Sequence, residues 1–187
     1  ELLKKYELSK SFLKAIKNHC HKIKIDFMLS IFDNQSLKML NEIKYRNVIK
    51  IPSGEINNYF LLKEVNFKKN KFIISTGMSD YEDIVNCINI ISKRKVYSFD
   101  KKKNRLKILN NKFLNFIKKK ITLLHCTTDY PAAHKHLNLS VIKAMKNDFK
   151  INIGFSDHSK GIDASVGSVY CGASVIEKHL TLNNSLK

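Results

Sequence analysis

Six short apolar segments recur along this chain, and each runs into unusual polar residues. They are "IDFMLSIF" (25–32), "VIKIPSGE" (48–55), "KFIISTGMS" (71–79), "KITLLHCTTDYP" (120–131), "INIGFSDH" (151–158) and "SVIEKHLTL" (174–182). Between them lie segments with helical spacing. In "NQSLKMLNEIK" (34–44), Leu37, Leu40 and Ile43 share one face. "NYFLLKEVNF" follows the second strand, and "LNLSVIKAMKNDF" (137–149) and "GIDASVGSVYCGA" (161–173) follow the fourth and fifth. "SDYEDIVNCINIIS" opens with Ser79 as the expected N-cap and acids in its first turn. Six strands, each followed by a helix or by the end of the sequence, predict a parallel α/β architecture. An open doubly wound sheet would carry polar residues only at its switch point. Here "SGE", "STGMS", "HCTTDY", "SDH" and "EKH" decorate one strand end after another, which favours a β/α barrel with its working face at the strand C-termini.

The chain has 187 residues, enough for one domain with a core, and 43% of them are hydrophobic. No apolar run approaches the ~20 residues of a membrane span. The opening "ELLKKYELSK" lacks an initiator Met and a signal-peptide layout, and reads as a chain entered mid-protein. Cys20, Cys87, Cys126 and Cys171 are scattered without a C-x-x-C pair, which suggests a reducing, cytoplasmic setting. "HCH" (19–21) follows a helical pattern, where neighbours two apart do not share a face, so a helix-end loop is expected there rather than a metal cluster. The formal net charge is +18, and residues 93–120 hold twelve Lys/Arg against the single acid Asp100. A basic nucleic-acid module is the rival reading. Few aromatics interleave the lysines of 93–120 apart from Phe113 and Phe116, so no stacking platform is evident and nucleic acid is disfavoured. Solvated lysines on a basic insertion are expected instead.

"GFSDHSKG" (154–161) brings Ser156, Asp157 and His158 together. Adjacent residues of an extended segment point to opposite faces, so the three cannot form a relay among themselves. His158 ends one strand and His179 the next, 21 positions later, a separation that lets consecutive parallel strands lie side by side. The two imidazoles can meet as part of a divalent-metal site, or stand as two hydrogen-bonded histidines at the barrel mouth. Glu177 shares a strand face with His179, and Lys178 points away. Lys50 and Ser53 flank Pro52, and Ser75 and Thr76 precede Gly77; both sets suit a phosphate or carboxylate, or an ordinary strand-end turn. No G-x-G-x-x-G or Walker loop is present.

Together, "KIPSGEINNYFLL", "IISTGMS", "LLHCTTDYPAAHKHLNL", "GFSDHSKGI" and "GASVIEKHLTL" resemble the sialic acid synthase (N-acetylneuraminate synthase) family, in family order over residues 25–182. The resemblance implies a TIM (β/α)8-type barrel, incomplete, with strands three to eight present and the first two missing. The domain expected is 1–187, a partial synthase barrel with a Lys-rich insertion at about 93–120 and without the family's C-terminal antifreeze-like domain. It implies condensation of phosphoenolpyruvate with N-acetylmannosamine or a related N-acylated hexose, a divalent ion (Mn2+ or Mg2+), and a homodimeric full-length form. His158 and His179 would hold the ion. Lys50, Ser53, Ser75 and Ser156 would contact phosphoenolpyruvate, with Ser30 near the phosphate. Glu55, Thr128 and Tyr130 would surround the sugar and reacting carbons, supported by Asp157 and Glu177; Glu55 and Glu177 are the expected catalytic carboxylates. "SGE" and "LLHCTT" look more like neuraminate or legionaminate synthases than pseudaminate synthases. The chain departs from the family pattern at Phe60 and Ala133, where Pro is usual, at Ser30, where Thr is common, and in "TLNN". An inactive, basic anion-binding fragment is the alternative.

Overall fold

The computed structural model describes residues 7–45, 47–183 and 185. Residues 1–6, which carry most of the reading of a chain entered mid-protein, lie outside that range. The elements run α1 (Lys10–Lys22), β1 (Leu29–Ser30), α2 (Asn34–Glu42), β2 (Val48–Ile51), α3 (Tyr59–Glu64), β3 (Lys71–Ser75), α4 (Tyr81–Ser92), β4 (Tyr97–Asp100), β5 (Arg105–Ile108), α5 (Asn111–Lys120), β6 (Ile121–Cys126), α6 (Ser140–Phe149), β7 (Asn152–Asp157), α7 (Asp163–Tyr170) and β8 (Ile176–Lys178). Six strands form one curled parallel half-barrel sheet in the order β1-β2-β3-β6-β7-β8. Its register pairs Ser30 with Lys50, Lys50 with Ile73, Ser75 with Leu124, Cys126 with Ser156 and Ser156 with Glu177.

Local chemistry explains where the elements stop. β1 has a single neighbour, so only Leu29 and Ser30 of the expected 25–32 strand pair. β2 ends at Ile51 because Pro52 has no N–H to continue the ladder, and a short turn over Ser53–Glu55 follows. Asp33 and Asp80 close capping boxes on α2 and α4 with Ser36 and Asp83. The N-cap of α4 is therefore Asp80 and not Ser79, since a carboxylate one position on reaches the N3 amide. His19, Cys20 and His21 lie inside the last turns of α1 rather than in a loop beyond it.

The basic stretch 93–120 contains elements that its charge concealed. β4 and β5 form an antiparallel hairpin, and α5 follows it, packing against β3 and β6. The Asp100 carboxylate accepts from the amides of Lys102 and Lys103 at the turn. The Asn89 side chain accepts from the Val96 and Tyr97 amides and donates to the Tyr97 carbonyl, which fixes the hairpin base to α4. Lys101 pairs with Asp80 and Glu82 at the start of α4.

The core joins the sheet to its helices. Phe72, Ile74, Leu123, Ile153 and Phe155 of the strands are buried with Ile88, Ile91, Ile142 and Phe149 of α4 and α6. Each such side chain contributes about 1.5–3 kcal/mol on burial. Gly154 allows a close approach in β7: a Cβ there would lie 2.5 Å from both Leu124 Cδ2 and the Val175 carbonyl oxygen. No helix among the described residues is long and apolar enough to cross a membrane.

Candidate functional site

A pocket of about 410 Å³ opens at the C-terminal ends of the sheet. Every strand of the half-barrel contributes to the lining: Ser30, Lys50, Ser75, Cys126 and Ser156 from β1, β2, β3, β6 and β7, and Glu177 and Lys178 from β8. This follows from parallel pairing in a common direction, which brings all the strand ends to one face. Loops add Ser53, Thr128, Tyr130, His158 and His179 from the expected set, together with Phe32 and Met78.

The floor is polar and desolvated. Lys50 is only 6% exposed, and its Nζ lies 3.0 Å from Glu177 Oε1. Ser156 Oγ donates to Glu177 Oε2 at 2.5 Å. The carboxylate thus holds β2 and β7 in one arrangement from β8. Ser75 Oγ is buried without a hydrogen-bond partner among the described residues, and the residue lines the pocket. A buried hydroxyl in that state costs free energy unless a ligand satisfies it. Gly77 donates its amide to Ser53 Oγ at 3.0 Å. A Cβ at Gly77 would meet Thr128 Cγ2 at 2.6 Å and Ser53 Oγ at 3.0 Å, so only glycine brings these loops so close.

His158 and His179 stand at the rim with ring centroids 5.6 Å apart. Nδ1 of His158 lies 2.7 Å from the Thr127 carbonyl oxygen, which can only accept. A proton on Nδ1 satisfies that contact, and Nε2 lies 3.3 Å from Ser156 Oγ. Tyr130 lies against the His158 ring with centroids 4.1 Å apart and meets His179 edge-on at 5.8 Å. The separation of the two imidazoles suits ligands of one ion. No group of three or more His, Cys, Asp and Glu able to hold a metal occurs among the described residues, so water or substrate would have to complete the shell of such an ion.

Two expected site residues are placed elsewhere. Asp157 lies in β7 between two inward-facing neighbours, and strand alternation turns it away from the pocket. It is buried at 1% exposure and accepts from the Ser159 amide and hydroxyl, from Ser165 Oγ and from Lys178 Nζ. Burial alone raises its pKa, but hydrogen bonds from Ser165, Ser159 and Lys178 outweigh that and bring it down to about 2. Asp157 is thus a tether between β7, the loop after it, α7 and β8, placed behind the pocket wall and not in its lining. Lys178 joins this tether and also donates to the Ser159 carbonyl at 2.9 Å. Replacing Asp157 by Asn should lower stability by about 3 kcal/mol, because it leaves the half-buried Lys178 without its charge partner. A urea midpoint unchanged from wild type would overturn that role. Glu55 is the other, one residue beyond the lining residues Ser53 and Gly54. It accepts from Asn58 Nδ2 at 2.8 Å at the start of α3 and does not line the pocket.

Cys126 was missed as a lining residue. Its Sγ lies 3.7 Å from Ser53 Oγ and 3.9 Å from His158 Nδ1, and burial pushes its thiol pKa up. Alternation along "LLHC" could have found it, because His125 is the polar residue that turns outward, against Phe155 and the Leu137 carbonyl. Phe32 and Met78 carry no signal that separates them from surface apolar residues.

The fold and the pocket define a parallel β/α half-barrel with a ligand-binding face at its strand C-termini. The chain belongs to the NeuB family, whose profile matches residues 1–187. It is 37% identical over 186 residues to the N,N'-diacetyllegionaminic acid synthase of Campylobacter jejuni, covering 100% of this chain and 49% of that protein. It is 34% identical to the synthase of the same name from Legionella pneumophila, covering 100% of this chain and 47% of that one. The chain thus spans about half the length of the curated relatives it matches. Among solved structures, the N-acetylneuraminic acid synthetase of Leptospira borgpetersenii, in complex with citrate, superposes with a TM-score of 0.79 at 32% identity, covering 97% of this chain and 55% of that one.

Proposed function

We propose that this chain supplies the catalytic face of a nonulosonate synthase, which condenses phosphoenolpyruvate with N-acetylmannosamine or a related N-acylated hexose and releases phosphate. On this reading the six strands are strands three to eight of an eight-stranded barrel. One observation carries it above the others: the buried ammonium of Lys50 and the unpartnered hydroxyl of Ser75 share the floor of a pocket that has two imidazoles at its rim. Cation and hydroxyls suit a small anion in a site with little water, where each charged hydrogen bond is strong.

Lys50, Ser53, Ser75 and Ser156 bind phosphoenolpyruvate and hold its enol carbon toward the sugar. Thr128 and Tyr130 bound the sugar from the β6 loop. The enol π electrons form a bond to the sugar's aldehyde carbon as its C=O π bond breaks, and the aldehyde oxygen takes a proton from solvent to become a hydroxyl. Water adds to the adjoining carbon, giving a proton to Glu177, and the phosphate leaves from that carbon to give a 2-keto acid. Lys50 Nζ, 3.0 Å from Glu177 Oε1, fixes where that carboxylate stands on the pocket floor. A divalent ion such as Mn2+ or Mg2+ would be held by His158 and His179 and would supply Lewis-acid polarisation of the sugar carbonyl.

Phosphate release from phosphoenolpyruvate by the full-length form of the protein, assayed with a panel of N-acylated hexosamines and hexoses, tests the reading. Release dependent on one of these sugars is expected, and no release with any of them would sink it. The ligand assignment is tested separately. His158→Ala and His179→Ala should each weaken Mn2+ binding at least ~10–100-fold, the range seen for changes one shell further out. Unchanged Mn2+ titrations in both variants would remove the two histidines from that role.

A further inference from the structure

A second pocket lies at the opposite end of the sheet, where the strands begin. Three segments enclose it: residues 64–68 between α3 and β3, residues 92–94 at the end of α4, and the face of α5 that carries Phe113 and Phe116. Its volume of about 960 Å³ is more than twice that of the candidate site and falls within the ~300–1,000 Å³ usual for small-molecule pockets.

The pocket combines two chemistries. Its floor is aromatic. Phe67 stacks on Phe72 of β3 at 6.0 Å between centroids, and meets Phe113 at 6.3 Å and Phe116 at 5.6 Å. Phe67 is buried, whereas Phe116 is 39% exposed and leaves a ring for a ligand to cover. Its rim is cationic: Lys68, Lys93 and Arg94 line it against one acid, Glu64. Lys93 takes a left-handed conformation (φ 53°) that ends α4. Arg94 follows, with its guanidinium 5.6 Å from the Phe113 centroid. Lys120 Nζ lies 5.8 Å from the Phe116 centroid. A cation over a ring has its other side open to an anion, and the ring's uncovered part is open to stacking. An inorganic anion alone would leave the aromatic floor unused, and a neutral apolar ligand would leave the cations unpaired.

We propose that this pocket binds a small organic anion built on a planar aromatic ring system, with the rings against Phe116 and Phe113 and the anionic group at Arg94 and its neighbouring lysines. The proposal is independent of the chemistry at the other end of the sheet. No expected site residue lines this pocket.

Calorimetric titration tests it with two probes, 5′-AMP and 2-naphthoate, and with adenosine and ribose 5-phosphate as the separated halves of the first. At least one probe is expected to bind with a Kd below ~1 mM. For AMP, each half should bind at least ~10-fold more weakly than the whole, because ring and anion are held together. Arg94→Ala and Phe116→Ala should each weaken the bound probe about 5- to 30-fold, as loss of a cation–π or charged contact does. Both side chains are solvent-exposed, and circular dichroism run in parallel confirms that each variant keeps its fold. Failure of both probes to bind overturns the proposal. So does ribose 5-phosphate binding as tightly as AMP, which would mean a phosphate resting on surface lysines. Binding indifferent to both substitutions overturns it as well.

Discussion

In the full-length form of the protein, replacing Lys50 by alanine should raise the Michaelis constant for phosphoenolpyruvate about 10- to 150-fold, the range that loss of one charged hydrogen bond of ~1.5–3 kcal/mol produces. The constant for the sugar should change far less. Lys50 sits in β2 between Ile49 and Ile51, and the strand pairs on both sides with β1 and β3, so its ammonium cannot move away from the pocket floor. Burial makes its charge worth more there than at a surface. The substitution also releases Glu177 from its 3.0 Å partner and frees the carboxylate that Ser156 shares. A fall in kcat should therefore accompany the rise in the Michaelis constant. Lys50→Met separates charge from packing, because methionine fills much of the same volume without the ammonium. Met should reproduce the loss seen with Ala. Recovery of wild-type kinetics by Met, or an effect confined to the sugar, would reassign Lys50 to packing or to the other substrate.

The direction of the site was legible in the sequence because parallel strands carry their chemistry to one end. That rule identifies Lys50, Ser75, Ser156 and Glu177 from four separate segments, and the pocket brings all four together. What failed was orientation within a strand end. Asp157 is flanked by Ser156 and His158, and alternation alone would have turned it outward. The carboxylate's kinship to the residues around it hid that. At Glu55 the orientation was not legible for another reason: Pro52 stops β2, and the turn over Ser53–Glu55 no longer follows a two-residue period. The basic stretch 93–120 read as a solvated insertion because charge dominates it. Tyr97, Val96, Leu114 and Ile117 are nevertheless buried, and one asparagine on α4, Asn89, ties the hairpin down. Partners so specific leave no trace in composition. The second pocket was equally illegible, since Phe67, Phe113 and Arg94 meet only after α4 and α5 have packed.

The 187-residue chain by itself should give no detectable turnover, and it should associate and unfold over a broad range that differs between probes. The half-barrel ends in two open edges, β1 and β8, only two and three residues long. A closed barrel has no edges, and unpaired ones invite pairing with other chains. Apolar surface lies beside both. Ile25 and Phe32 flank β1 at 61% and 60% exposure, and Leu180 and Leu182 follow β8 almost fully exposed. On α7, Ile162, Val166, Val169 and Tyr170 recur at helical spacing on one exposed face. Such a stripe is the mark of a helix that packs against a neighbour, and none of the described elements covers it. Two further βα units between β8 and β1 would pair both edges and supply that neighbour. They would also close the pocket on the side of Ser30 and Phe32. Size-exclusion chromatography, together with melts followed by far-UV and near-UV circular dichroism, measures the association and the breadth. A monomer with coincident melts and measurable condensation would show that six strands suffice. A chain that becomes monomeric and active when expressed with two more βα units would show that closure of the barrel, not any residue of the existing pocket, is what turnover lacks.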